Sequence, residues 1–208
     1  LPPITQIQRV KDGAGNTNRD FYQVRFKAAP GQTAASVFQD LRTNLRERIF
    51  RNQLVGNFRG YDRKNEEKWN SSDPIGAVMT FVMMDTPGVK TPNTPLFPLP
   101  DIPGTEWEKG SVVLSCISET DFIFSTVTTP ADGVHPVSGS RGFAVSLDAD
   151  GHIRIMTKAV DRVVDHGAYQ AGAALIFRGG DRIWKAMLKN LTDHYKAQEP
   201  SAFNFRKE

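Results

Sequence analysis

The chain has 208 residues, enough to bury a sizeable core in one domain, and its 39% apolar and 24% charged residues are ordinary for a globular protein. The net charge of +3 comes from scattered Lys and Arg with no consecutive basic block, so nucleic acid is not expected as a partner. No apolar run approaches the ~20 residues that cross a bilayer, and a single cysteine excludes an internal disulfide framework.

The first residue is Leu1 rather than Met, which leads us to expect an upstream segment. The compartment stays open between the cytoplasm and secretion after removal of that segment. Leu1–Val10 and Arg19–Lys27 read as extended segments around a turn at Asp12-Gly13-Ala14-Gly15-Asn16. In the second, Tyr22, Val24 and Phe26 alternate with Gln23, Arg25 and Lys27, the period of a half-buried strand. Pro30-Gly31 ends it, and Thr33 is placed to cap a helix. Val37, Phe38, Leu41, Leu45 and Ile49 share one face of that helix. Asp40, Arg42, Thr43, Arg46 and Glu47 lie mostly opposite or on its flanks, whereas Arg48 falls inside the apolar arc. The helix is expected to fade near Asn52, with irregular chain around Gly56 and Gly60.

Gly76–Met84 is a near-continuous apolar run and reads as a strand buried on both faces. Asp85–Gly104 carries six of the thirteen prolines, which excludes helix and central strand and predicts a long loop. Leu96, Phe97, Leu99 and Ile102 give that loop an apolar side with which to dock as a cover. Ser111–Ile117 and Asp121–Thr128 are two further strands, joined at Ser118–Thr120. Ser140–Asp148 and Gly151–Val160 form a hairpin around the Asp148-Ala149-Asp150-Gly151 turn. Ala159–Gly180 reads as a connection with one short helix. Asp181 is then placed to cap a closing helix whose Ile183, Trp184, Met187, Leu188, Leu191 and Tyr195 span an arc of ~140°. The expected fold is α+β: a single domain over residues 1–208, with a curved antiparallel sheet on a long C-terminal helix, an extra N-terminal helix and a proline-rich loop.

This element order resembles the START-like or helix-grip (SRPBCC) superfamily, which includes the birch-pollen allergens. The likeness is sharpest to an uncharacterised branch of small plant and bacterial proteins. It rests on His135-Pro136, Gly139, Phe143, Asp148–Gly151, Arg162 and the helix Asp181–Lys196, about a third of the chain. The resemblance implies a cavity between the bent sheet and the last helix that takes a small apolar ligand. It carries over no catalytic residue.

Read for chemistry, Cys116 lies in an apolar strand pattern and is expected to be a buried, inert thiol. His135, His152, His166 and His194 lack metal-ligand spacing, so neither a metal nor a cofactor is expected. Gly139-Ser140-Arg141-Gly142 lacks the Lys-Ser or Lys-Thr of a phosphate loop, and no elbow surrounds Ser138 or Ser140 as in a serine hydrolase. An Arg on an apolar helix face must snorkel, pair with a carboxylate or meet a ligand, which singles out Arg48. The candidate ligand-binding residues are Arg48, His135, Arg141, Arg162 and Trp184. The leading expectation is a binding protein for a lipid-like or aromatic small molecule. The alternatives are an interaction protein with a protein partner, such as a secreted effector or toxin-associated domain, and a cyclase- or hydrolase-type enzyme using Arg48, His135 or Asp161.

Overall fold

In chain order the elements are β1 (Gln6–Ile7), β2 (Gly13–Lys27), α1 (Ala34–Thr43), α2 (Leu45–Arg48), β3 (Val55–Gly60), α3 (Arg63–Trp69), β4 (Val78–Met84), β5 (Glu106–Ile117), β6 (Asp121–Thr128), β7 (Val137–Leu147), β8 (His152–Val164), α4 (Gly167–Ala171), α5 (Ala173–Tyr195) and β9 (Ser201–Arg206). The computed structural model describes residues 4–50, 55–84, 106–196 and 201–206. The strands form one curved sheet in the order β3-β4-β5-β6-β7-β8-β2-β9, with β1 attached to β6, and every neighbouring pair is antiparallel. The fold is the expected α+β arrangement of a sheet on a long C-terminal helix.

Period-2 alternation decides which face is covered. Tyr22, Val24 and Phe26 on β2 join Phe143 and Val145 on β7 and Ile153 and Ile155 on β8 in one buried cluster. α5 adds Ile183, Met187, Leu188 and Leu191 to that cluster, and the first helices add Val37, Phe38, Leu41, Leu45 and Ile49. Each such side chain contributes roughly 1.5–3 kcal/mol when fully buried, so the two helical stripes hold the sheet together through this layer. Thr33 caps α1 as expected: its hydroxyl accepts the Ser36 N–H (3.1 Å), and the Ser36 hydroxyl accepts the Thr33 N–H (3.0 Å). The apolar stripe continues past a break at Asn44, whose amide donates to the Asp40 carboxylate at 2.9 Å.

Four features depart from the sequence reading. The glycines at 13 and 15 do not make the expected turn between two extended segments. β2 begins at Gly13 opposite Val164, and the stretch between Ala14 and Asn18 is a bulge in its pairing with β8. The chain around Gly56 and Gly60 is the ordered edge strand β3, paired with β4. It leads to α3, which Asp62 caps by accepting the Asn65 N–H at 2.8 Å. β8 runs on to Val164, and α5 starts at Ala173, eight residues before Asp181. Gly179 and Gly180 lie inside α5 at a cost of about 1 kcal/mol each relative to Ala, and the Asp181 carboxylate accepts the Tyr22 hydroxyl (3.1 Å) instead of capping. Finally, Cys116 is exposed. A bulge between Leu114 and Cys116 resets the alternation of β5, and Ser115 and Cys116 both come out on the solvent side.

β4 lies between β3 and β5, and Val78 and Met79 are both buried, as expected of a two-sided strand. Val78 belongs to a second small cluster with Val113 and Val127, backed by Ile4 and Tyr61. The N-terminal segment is stitched to the far end of β6 and β7 by Gln8. Its amide donates to the His135 carbonyl (2.9 Å) and the Ser138 hydroxyl (3.3 Å), and its carbonyl accepts the His135 N–H (2.8 Å). The expected proline-rich loop over Asp85–Gly104 lies outside the described residues. Among the described residues no helix is long and apolar enough to cross a membrane.

Candidate functional site

Two of the five candidate residues meet. Sheet register places Asn18, Asp20 and Tyr22 of β2, Thr157 and Asp161 of β8, and Arg141 of β7 on the helix-facing side, at the end away from the aliphatic core. Arg141 Nη2 donates to both Asp20 oxygens (2.8 and 2.7 Å), and Nη1 donates to Thr157 Oγ1 (3.3 Å). The guanidinium carbon lies 3.9 Å from the centre of the Trp184 ring, a cation–π contact. Asn18 Nδ2 bridges Asp20 (3.4 Å) and Asp161 (3.1 Å). Burial raises the Tyr22 hydroxyl well above the ordinary tyrosine range, and the Asp20 and Asp181 carboxylates add to the shift, so Tyr22 stays a neutral donor. With Asp20 only 8% exposed, this cluster is an internally closed ion pair under α5.

The other three candidates stand apart from it. Arg48 pairs with Asp40 through Nε (2.9 Å) and Nη2 (3.0 Å), and Asp40 also accepts the Tyr195 hydroxyl (2.7 Å). This is carboxylate pairing, one of the three fates open to an Arg on that face. The His135 ring lies against Gly110, where an added Cβ would come within 2.6 Å of His135 Cδ2. Burial lowers the His135 pKa to about 4, outweighing its hydrogen bond with the Val137 backbone, so the ring is neutral at physiological pH. Arg162 is on the opposite face of the sheet, with Nε donating to Thr17 Oγ1 (3.0 Å). The groups do not converge on a common point, and no metal-holding cluster of His, Cys, Asp and Glu exists among the described residues.

Between α5 and the sheet the rings of Phe122, Phe143, Trp184 and Phe50 meet in a chain, with successive centres 4.8–6.0 Å apart. An open groove of about 350 Å³ lies elsewhere, beside α1, lined by Phe38, Gln39, Arg42, Ser72, Pro74, Ile117, Ser118 and Glu119. The sequence reading missed its central residue. Arg42 is held by two carbonyls, Nη2 donating to Trp69 O and to Ser71 O (3.3 Å), with its guanidinium 5.2 Å from the Trp69 ring centre. Arg42 Nε is buried and has no hydrogen-bond partner among the described residues. Burial lowers the Arg42 pKa, and carbonyl partners leave the positive charge uncancelled. The available signal was spacing: Arg42 follows Phe38 by four residues and so flanks the apolar arc instead of opposing it.

No protein-family model matches this chain, and no curated protein matches it. Similar solved structures include a hypothetical protein from Helicobacter pylori, at 13% identity and a TM-score of 0.48, covering 84% of this chain and 86% of that one. A protein from Nitrosomonas europaea has 14% identity and a TM-score of 0.46, with 85% and 94% covered. One from Deinococcus radiodurans has 9% identity and a TM-score of 0.43, with 86% and 95% covered. Similarity at this level says nothing about what the chain binds.

Proposed function

We propose that the protein binds a small, mainly apolar molecule carrying one carboxylate, in the groove beside α1. The observation that carries this reading is Arg42: a partly desolvated cation with no carboxylate partner among the described residues, in a groove walled by Phe38, Pro74 and Ile117. An apolar lining with one or two placed polar groups is the usual make-up of a small-ligand site, and about 350 Å³ is within the size range of such sites. Glu119, exposed at the groove, disfavours a second negative charge on the ligand. The helix-grip resemblance supports a small apolar ligand as a class.

Octanoate and its uncharged counterpart octanol make the test. Calorimetric titration of the whole protein is expected to show octanoate binding more tightly than octanol. Arg42→Gln weakens octanoate by roughly 10- to 100-fold, the worth of a charge-assisted hydrogen bond, and leaves octanol unchanged. Equal binding of octanoate to the Arg42→Gln variant, or no binding of either compound, overturns the proposal.

A further inference from the structure

An antiparallel sheet covered by helices on one side leaves the other side to its partners. Alternation puts Arg19, Arg25 and Lys27 of β2 and Arg154, Lys158 and Arg162 of β8 on the face away from the helices, beside the part that Gln8 and Gly13 cover. Asp148 takes up Arg25 (3.0 Å) and Arg154 (2.8 Å), and Asp150 adds a second contact to Arg25. Arg19, Lys158 and Arg162 have no carboxylate partner among the described residues.

Those three form a triangle. Arg19 stands directly opposite Val160, so Lys158 and Arg162 occupy its two diagonals, ~7–8 Å away by sheet geometry. Val160, 41% exposed, sits in the middle. Phe21, half-buried, is opposite Lys158. On the other side of β8 the surface is low: Ser140, Gly142 and Ala144 of β7 continue into a ladder of hydroxyls, Ser140···Ser125···Ser115, each step 3.0 Å.

We infer that this face binds single-stranded nucleic acid through its phosphates. Three uncompensated cations within one Debye length match successive phosphates of one strand. The hydroxyl ladder beside them offers donors and acceptors to sugar and base edges. The face is the outer side of a curved sheet, which a flexible strand can follow, while a flat bilayer would touch only its crest. This reverses the expectation drawn from the absence of a basic run. A sheet collects every second residue of two distant strands, so its charge pattern does not show as a block in the sequence.

The test is fluorescence anisotropy with a fluorescein-labelled oligouridylate of 15 nucleotides, titrated between 50 and 300 mM NaCl. Binding is expected with a log–log salt slope near −2, from about 0.7 per phosphate for three phosphates. The Arg19→Gln/Lys158→Gln/Arg162→Gln variant loses at least about tenfold at 50 mM and its slope flattens toward zero. The single Lys158→Gln variant lowers the slope by ~0.7 and guards against loss of fold in the triple. A charge-matched control on the exposed side of α5, Arg182→Gln/Lys185→Gln/Lys189→Gln, stays within about twofold of the parent. No binding at 50 mM, equal loss in both triple variants, or a loss seen on phosphatidylserine vesicles but not on the oligonucleotide each overturns the inference.

Discussion

Arg141 and Asp20 illustrate how a charged pair can be kept inside a sheet-facing core. Asp20 receives two hydrogen bonds from one guanidinium nitrogen and a third from Asn18, and Trp184 covers the cation. Removing one partner strands the other. Arg141→Ala leaves the Asp20 carboxylate buried without its counter-ion and is expected to lower stability by about 3–5 kcal/mol in denaturant unfolding. The double variant Asp20→Leu/Arg141→Met replaces both charges with apolar groups of similar bulk and recovers most of that loss. If the double variant is as unstable as the single one, the cost is packing around Trp184 and not an orphaned charge. Arg42, whose partners are carbonyls, is different. Its charge is oriented but not neutralised, which is why the binding proposal rests there and not on the better-paired Arg141.

At the scale of elements, legibility followed pattern length. The helix capped by Thr33, the alternation of Tyr22, Val24 and Phe26, and the stripe from Ile183 to Tyr195 each repeat a period several times, and each was readable in the sequence. β3, with six residues and two glycines, repeats nothing, and its order comes from pairing with β4. The early start of α5 was hidden because Gly179-Gly180 looks like a stop, and only the use of Asp181 by Tyr22 shows why the helix runs through. The candidate site was less legible still. Arg141 and Trp184 both stand out in the sequence, but their contact depends on Asp20, 121 residues away from Arg141 in sequence. Gly139 is a tight point in the same region: an added Cβ would lie 2.3 Å from Val160 O and 2.7 Å from Asp161 Cα, both backbone atoms. Gly139→Ala must therefore push β7 from β8, and a loss of about 1–3 kcal/mol in the same unfolding measurement is expected. An unchanged midpoint would mean that the strands separate there without cost.

The whole molecule is fastened at its other end by Asp40, which joins α1 to α2 through Arg48 and to α5 through Tyr195. Burial alone would raise the Asp40 pKa, but hydrogen bonds from Arg48, Tyr195 and Asn44 prevail and bring it to about 2, below the ordinary aspartate value of 3.8. A carboxylate whose folded pKa is depressed stabilises fully above the unfolded value, and that contribution disappears as pH falls through the folded one. The melting temperature is thus expected to drop between pH 4 and pH 2, with a shallower drop for Asp40→Asn. Identical slopes would place the acid sensitivity elsewhere. Tyr195 further stacks on Phe26 with ring centres 4.6 Å apart, so this fastening reaches back to β2. That strand has a consequence for how the protein is made. Both of its neighbours, β8 and β9, come later in the chain, after β3 to β7. Residues 13–27 emerge before either partner and must wait, unpaired along both sides, until β8 and β9 follow. Such long-range closure slows folding and leaves an early interval in which a bare β-forming segment needs shielding from other nascent chains.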